Sequence, residues 1–312
     1  MRSIKIKVVV PVLNEAATIG PMVERCLQTL KGLDSEIIVV DGYSTDGSAG
    51  IAEAAGARVV YQKGRGYGAA YFTGFEHALE EESEAILVMI DGDLTYLPED
   101  IQRVIEPIVQ GEADLVVGDR FQHADPHAIS ILNKVGNRFL TWLLNRLYGL
   151  EIGDSQCGFR AIKGTQLRRM FLEASGMPMA TEMIIEARKQ GMKIFQVPVS
   201  YKKRLGTSKL RPVRDGLQIA GTTILLLSEF NPFIIFGGLA ILFLIAGLSL
   251  GLYVLYNWYL WYAFGAQTWP KLGSALVAVL FFSTSMMMLL MGVLLNTLLR
   301  VLKALKRLMM VP

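Results

Sequence analysis

The sequence has little cysteine and little charge. Cys26 and Cys157 are its only cysteines in 312 residues. Neither sits in a metal-ligand spacing, so a disulfide framework and a thiolate metal site are both excluded. Cys26 reads as core filling on a helix. Charged residues make up only 19% of the chain and the formal net charge is +3, which gives no reason to expect a nucleic-acid partner. The glycine-rich segment 62–68 (Gln-Lys-Gly-Arg-Gly-Tyr-Gly) lacks the Lys-Ser/Thr ending of a P-loop and the full spacing of a dinucleotide fingerprint. Kinase and dehydrogenase readings therefore drop out.

Charge is wholly missing from residues 233–256 and 272–299. Each run exceeds the roughly 20 residues that cross about 30 Å of hydrocarbon as a helix, and two transmembrane helices are expected. Lys202, Lys203, Arg204, Lys209, Arg211 and Arg214 precede the first span, and Arg300, Lys303, Lys306 and Arg307 follow the second, whereas the connector 257–271 carries only Lys271. That bias predicts both ends in the cytoplasm, with an outside hairpin whose Trp258, Tyr259, Trp261, Tyr262 and Trp269 form an interfacial belt. Residues 1–12 read as a strand, too short for a cleavable signal segment.

Short apolar runs rich in Val and Ile occur at 4–10, 37–40, 58–61, 86–90 and 115–117, separated by segments suited to helices at 16–30, 48–55, 68–82 and 98–110. Alternation of this kind predicts an α/β, Rossmann-like domain with a mostly parallel sheet. In such sheets ligands bind beyond the carboxyl ends of the strands. The residues there are polar: Pro11 to Glu15 after the first run, Asp41 after the second, Asp91-Gly92-Asp93 after the fourth, and Gly118-Asp119-Arg120 after the fifth. Any one has a plain structural reading, since Asn14 can cap a helix and Asp41 can open an Asx turn; four together point to a site. Two amphipathic stretches, 132–148 and 213–227, read as helices lying in a membrane interface, the alternative being that their apolar stripes pack on the sheet.

Asp91 and Asp93 place two carboxylates at a strand end, with Gly92 allowing close approach. Such hard oxygen ligands suit Mg²⁺ or Mn²⁺ bridging diphosphate oxygens. Residues 201–209 (Tyr-Lys-Lys-Arg-Leu-Gly-Thr-Ser-Lys) are dense in cations and hydroxyls. They suit a phosphate-bearing substrate or an anionic membrane surface, beside the plainer reading of positive-inside bias.

Taken in order, PVLNE at 11–15, VDGYSTDGS at 40–48, KGRGYGAA at 63–70, DGD at 91–93, GDR at 118–120, DSQCGFRAI at 154–162 and RLGTSKL at 204–210 resemble the family 2 inverting glycosyltransferases, specifically the dolichyl- or polyprenyl-phosphate sugar synthases of the mannose and glucose type. The resemblance implies a glycosyltransferase A-type fold in which Pro11, Leu13, Glu15 and Asp41 surround the nucleotide of a nucleotide sugar, Asp41 near the base. It places Asp91, Gly92 and Asp93 at the metal and diphosphate, and Arg120, Arg204, Ser208 and Lys209 at the phosphate of a dolichyl or polyprenyl phosphate. Asp154 takes the position proposed for a catalytic base, and Glu182 one that contacts the sugar. Thr95 stands where the family often has a metal-contacting Gln, and Asn133, Lys134 and Asn137 depart from the Arg and Ser of the mannose synthases.

The expected activity is inverting transfer of a hexose from a UDP-glucose-type donor or GDP-mannose to the lipid phosphate. The expected layout is a cytoplasmic catalytic domain at 1–209, an interfacial helix at 210–230 and a two-helix anchor at 231–312 with a basic tail, in a cell membrane or endomembrane. Rival readings are a processive polysaccharide synthase, whose Gln-x-x-Arg-Trp motif and multi-span channel are missing here, and a membrane scaffold that binds nucleotide sugar without transfer.

Overall fold

The structure is a computed structural model, and it describes residues 4–81, 84–125, 128–204, 212–230, 232–265 and 272–309. Along the chain run β1 (Ile6–Val12), α1 (Ala16–Thr29), β2 (Ser35–Asp41), α2 (Ser48–Ala54), β3 (Arg58–Tyr61), α3 (Tyr67–Glu81), β4 (Ile86–Met89), α4 (Ile101–Val109) and β5 (Leu115–Ala124). They are followed by α5 (Ile131–Tyr148), β6 (Arg160–Lys163), α6 (Gly164–Leu167), α7 (Met179–Lys189), β7 (Ile194–Tyr201), α8 (Pro212–Phe230), α9 (Pro232–Phe264) and α10 (Leu272–Met309). The chain divides into two compact units, Met1–Thr223 and Ile224–Pro312.

In the first unit one sheet has the order β3-β2-β1-β4-β6-β5-β7. β6 runs antiparallel to both β4 and β5, and the other pairings are parallel. Continuous burial explains why the central strands are apolar on both faces: Val8, Val9 and Val10 of β1 and Leu87 and Val88 of β4 have no exposed surface, as expected of strands covered by helices on each side. Ile19, Met22, Val23 and Cys26 recur on one face of α1 and are equally buried. Burial pushes the Cys26 thiol up to about 12, an inert core residue as the sequence suggested. Because β1 has β2 on one side and β4 on the other, the order reverses there, and the carboxyl ends of β1 and β4 open a crevice between them.

α5 buries a mixed face of Asn137, Leu140, Thr141, Leu144 and Tyr148. Its polar Asn137 and Thr141 point into the protein, while Ile131, Leu132, Val135, Phe139 and Trp142 are 83, 60, 61, 54 and 59% exposed. The apolar stripe therefore does not pack on the sheet. Val213 and Leu217 at the start of α8 are exposed in the same way.

In the second unit α9 and α10 form an antiparallel pair. Gly247 lies against Ala278 and Phe281, Gly292 against Phe233 and Phe236, and the Ser285 hydroxyl donates to the Ala240 carbonyl at 2.8 Å. Pro232–Phe264 and Leu272–Leu299 are both long and apolar enough to cross a membrane.

Candidate active site

A cleft of about 710 Å³ opens over the carboxyl ends of β1 and β4. Pro11, Leu13 and Glu15 line it after β1, Asp91, Gly92 and Asp93 after β4, and Arg120 from β5. Gln156, Gly158, Tyr201 and Arg204 complete its polar part. Leu132, Phe139 and Leu140 of α5 and Val213, Leu217 and Ile219 of α8 give it one apolar wall.

Side-chain bonds between neighbouring loops hold the cleft floor. The backbone N–H groups of Asn14, Glu15 and Ala16 donate to Ser44 Oγ, Ser48 Oγ and Asp46 Oδ2, each at 2.9 Å. The Asp46 carboxylate thus caps the amino terminus of α1 from the next loop. Three non-glycine residues have positive φ among the described residues: Asn14 (52°), Tyr43 (64°) and Leu94 (57°). All follow strands that end at the site, and such backbone is strained. Asp41 lies behind the wall rather than on it. One of its oxygens accepts the Ser44 N–H at 2.9 Å, and the other, Oδ1, is buried with no hydrogen-bond partner among the described residues.

Asp91 and Asp93 converge as the sequence predicts. Asp91 Oδ1 accepts the hydroxyls of Tyr67 (3.0 Å) and Tyr71 (3.3 Å). Burial, and then the charge of Asp93, push its carboxyl up to about 6. Asp93 Oδ1 accepts from the backbone N–H and hydroxyl of Thr95 at 3.0 and 2.5 Å, so Thr95 steadies Asp93. Arg204 bridges the remaining carboxylates, with Nη1 3.1 Å from Asp93 Oδ2 and Nη2 2.5 Å from Glu15 Oε1. Its Nε is buried without a hydrogen-bond partner among the described residues.

Arg120 and Asp154 form a bidentate pair at 2.7 and 2.9 Å. Asp154 Oδ1 also accepts from Asn137 Nδ2 (2.8 Å) and the Gln156 N–H (3.1 Å), and the residue has no exposed surface. Burial alone would raise its carboxyl, but the Arg120 guanidinium overrides this and holds it below the usual carboxylate range. Burial likewise opposes the charge on Arg120, and Asp154 more than restores it. Such a carboxylate offers no ready oxygen to a proton; it faces Arg120. The Tyr201 ring covers the guanidinium, whose Cζ is 5.4 Å from the ring centroid.

Several expectations change. Glu182 does not line the cleft: its two oxygens accept the backbone N–H groups of Glu173 and Ala174 at 3.0 and 2.9 Å, pinning that loop. The glycines of segment 62–68 answer to the same loop, because a Cβ on Gly66 or Gly68 would lie 2.5 or 2.1 Å from the carbonyl oxygens of Ser175 and Ala174. Gly92 lies against the β1 end as well as the cleft, since a Cβ there would be 2.9 Å from Val12 Cγ2. Ser208 and Lys209 fall outside the described residues. Sequence reasoning missed Tyr67, Tyr71 and Arg160. The buried Arg160 guanidinium donates to the carbonyls of Cys157 and Ser155 at 2.7 and 2.8 Å and to that of Ala180, fixing the loop that carries Gln156 and Gly158. Burial also pushes the Cys157 thiol up to about 12.

The carboxylates fit a divalent cation. Asp91 and Asp93 leave an excess of negative charge that burial makes costly. A Mg²⁺-type ion needs only one or two carboxylates from the protein when phosphate oxygens and water complete its coordination, and Asp91 and Asp93 supply that many at the cleft.

Residues 7–171, more than half of the chain, match the family model described as Glycosyl transferase family 2. The chain belongs to that family. Among similar proteins, this glycosyltransferase is 35% identical over 254 residues to the glycosyltransferase AglJ of Haloferax volcanii, covering 80% of this chain and 81% of AglJ. It is 31% identical to the dolichyl-phosphate hexose transferase of the same organism, over 70% of this chain and 91% of that one. It is 28% identical to the polyprenol monophosphomannose synthase of Mycolicibacterium smegmatis, over 65 and 80% of the two chains. Among solved structures it resembles glucosyl-3-phosphoglycerate synthase from Mycobacterium tuberculosis in complex with Mn²⁺, uridine diphosphate and glucosyl-3-phosphoglycerate, with 25% identity, a TM-score of 0.57 and coverage of 72% of this chain and 79% of that one. The fold of this glycosyltransferase is accordingly the A-type.

Proposed function

We propose that this glycosyltransferase moves a hexose from a nucleotide sugar to a dolichyl or polyprenyl phosphate, with inversion, at the cytoplasmic face of the membrane that its last two helices cross. The observation that carries the reading is the two-sided cleft. Its carboxylates and arginines suit a sugar diphosphate and a phosphate nucleophile, and its apolar wall of α5 and α8 residues suits a lipid chain. Relatives named as dolichyl-phosphate and polyprenol transferases support the acceptor.

Asp91 and Asp93 would hold Mg²⁺ or Mn²⁺, which when bound supplies charge neutralisation of the departing nucleotide diphosphate. Arg120, kept charged and oriented by Asp154, offers phosphate oxygens the N–H groups that Asp154 leaves free, and Arg204 adds a second positive charge beside them. An acceptor oxygen attacks the anomeric carbon as the bond to the nucleotide diphosphate breaks on the opposite face. That oxygen is already anionic near neutral pH, so no general base is required, and Asp154 serves by positioning Arg120.

The donor is a UDP-sugar. The solved glucosyl-3-phosphoglycerate synthase of similar fold holds uridine diphosphate together with Mn²⁺, which supports uracil as the base. The test is label transfer from UDP-glucose, other UDP-sugars and GDP-mannose to dolichyl phosphate by the purified chain, with Mn²⁺, Mg²⁺ or chelator. Chelator-sensitive lipid-linked label from a UDP-sugar is expected. Label from GDP-mannose alone refutes the base assignment, and nucleotide-sugar binding with no lipid product from any donor refutes the enzyme reading.

A further inference from the structure

The outer face of α5 carries a second concavity, of about 420 Å³, lined by Arg138, Thr141, Trp142, Asn145, Arg146 and Gly153. It shares no lining residue with the catalytic cleft. Arg138 and Arg146 lie two helical turns apart and flank Trp142. Both are exposed, and neither has an ion pair or hydrogen bond among the described residues, so two guanidinium groups face one hollow uncompensated. Trp142 stacks on Phe139 with centroids 6.0 Å apart, continuing the apolar stripe of Ile131 and Val135 into this hollow.

We propose that this concavity binds the headgroup of an anionic glycerophospholipid from the surrounding bilayer, at a site separate from that of the lipid acceptor. Three features select this occupant. The apolar stripe would insert among acyl chains, which sets the hollow at headgroup depth. A tryptophan at that depth is favoured by its amphipathic ring. Two arginines without carboxylate partners match a headgroup with net negative charge, because guanidinium groups bind phosphate oxygens in pairs and each gains from a negative surface. The inference rests on the membrane reading above and is independent of which sugar or acceptor the enzyme uses.

The test uses the full chain in nanodiscs of phosphatidylcholine containing one-fifth phosphatidylglycerol, with retained lipids counted by native mass spectrometry. The wild-type chain should retain one more phosphatidylglycerol than Arg138→Gln/Arg146→Gln, whose affinity for it should be roughly 30-fold weaker. Arg138→Lys/Arg146→Lys, which keeps both charges but loses the paired donors, should fall between the two, and an unchanged melting temperature of the glutamine double variant excludes misfolding as the cause. Equal retention by wild type and the glutamine double variant would overturn the proposal. Displacement of the extra lipid by millimolar inorganic phosphate would overturn the lipid assignment, leaving a site for free phosphate. If the catalytic reading fails, the chain transfers no sugar in these same nanodiscs while the difference in lipid retention persists.

Discussion

Asp91 gives the sharpest test of how the site is built, because the residue proposed to hold the cation is a burden to the empty fold. Its carboxyl titrates at about 6 in the folded chain against an ordinary 3.8. The folded state therefore binds the proton more tightly than the unfolded state. The stability this confers is fully present below the ordinary value and is lost as pH rises through about 6. About two units at 1.36 kcal/mol each make ionised Asp91 cost roughly 3 kcal/mol at pH 7.5. Asp91→Asn keeps an acceptor for the Tyr67 and Tyr71 hydroxyls and removes the charge. In chelator the variant should be more stable than wild type by about 3 kcal/mol at pH 7.5 and by about a third of that at pH 4.5, with sugar transfer abolished. For a unit of this size that is a rise of roughly 6–12 °C in melting temperature, readable by thermal unfolding of the full chain in detergent. Adding Mn²⁺ should stabilise the wild type and leave the variant unmoved. Equal melting temperatures at pH 7.5, or the same gain at both pH values, would refute the electrostatic argument.

Asp154→Asn should destabilise the first unit by about 3–5 kcal/mol, since it breaks a buried ion pair and leaves Arg120 uncompensated, as measured by denaturant unfolding. Asp154 titrates below its ordinary 3.8, so its contribution is present above that value and is lost as pH falls through the lowered one. The variant's stability should correspondingly fall less steeply in acid than that of the wild type. Arg204→Gln frees Asp93 and Glu15 from a competing cation. It should tighten Mn²⁺ binding about tenfold by electron paramagnetic resonance, in keeping with the effect of a neighbouring opposite charge, while transfer falls; weaker Mn²⁺ binding would remove Arg204 from the metal's surroundings.

The parallel half of the sheet was legible because β1 to β5 are apolar runs separated by helical segments. The last two strands were not. β6 opens on Arg160, whose charge hides a fully buried position, and β7 is broken by Gln196 and Pro198. Proline is tolerated there because β7 is the sheet edge. Within the site, Asp91, Asp93 and Arg120 were readable from their places after strands, and Arg204 from its basic cluster and the family resemblance. Tyr67 and Tyr71 were not, because nothing in a helical pattern announces that two hydroxyls will meet a carboxylate 20 and 24 residues away. Gly66 and Gly68 make room for a backbone more than 100 residues distant, which no local pattern announces. The amphipathic pattern of α5 was plain, but periodicity does not say which side faces out; the bonds of Asn137 and Thr141 decide it.

The outward apolar face of α5 has a practical consequence for anyone cutting the protein down. Deleting Ile224–Pro312 would remove both long helices yet leave Ile131, Leu132, Val135, Phe139 and Trp142 uncovered on the remaining fragment. Contiguous greasy surface of that kind drives self-association in water. The trimmed fragment would still demand detergent to stay dispersed.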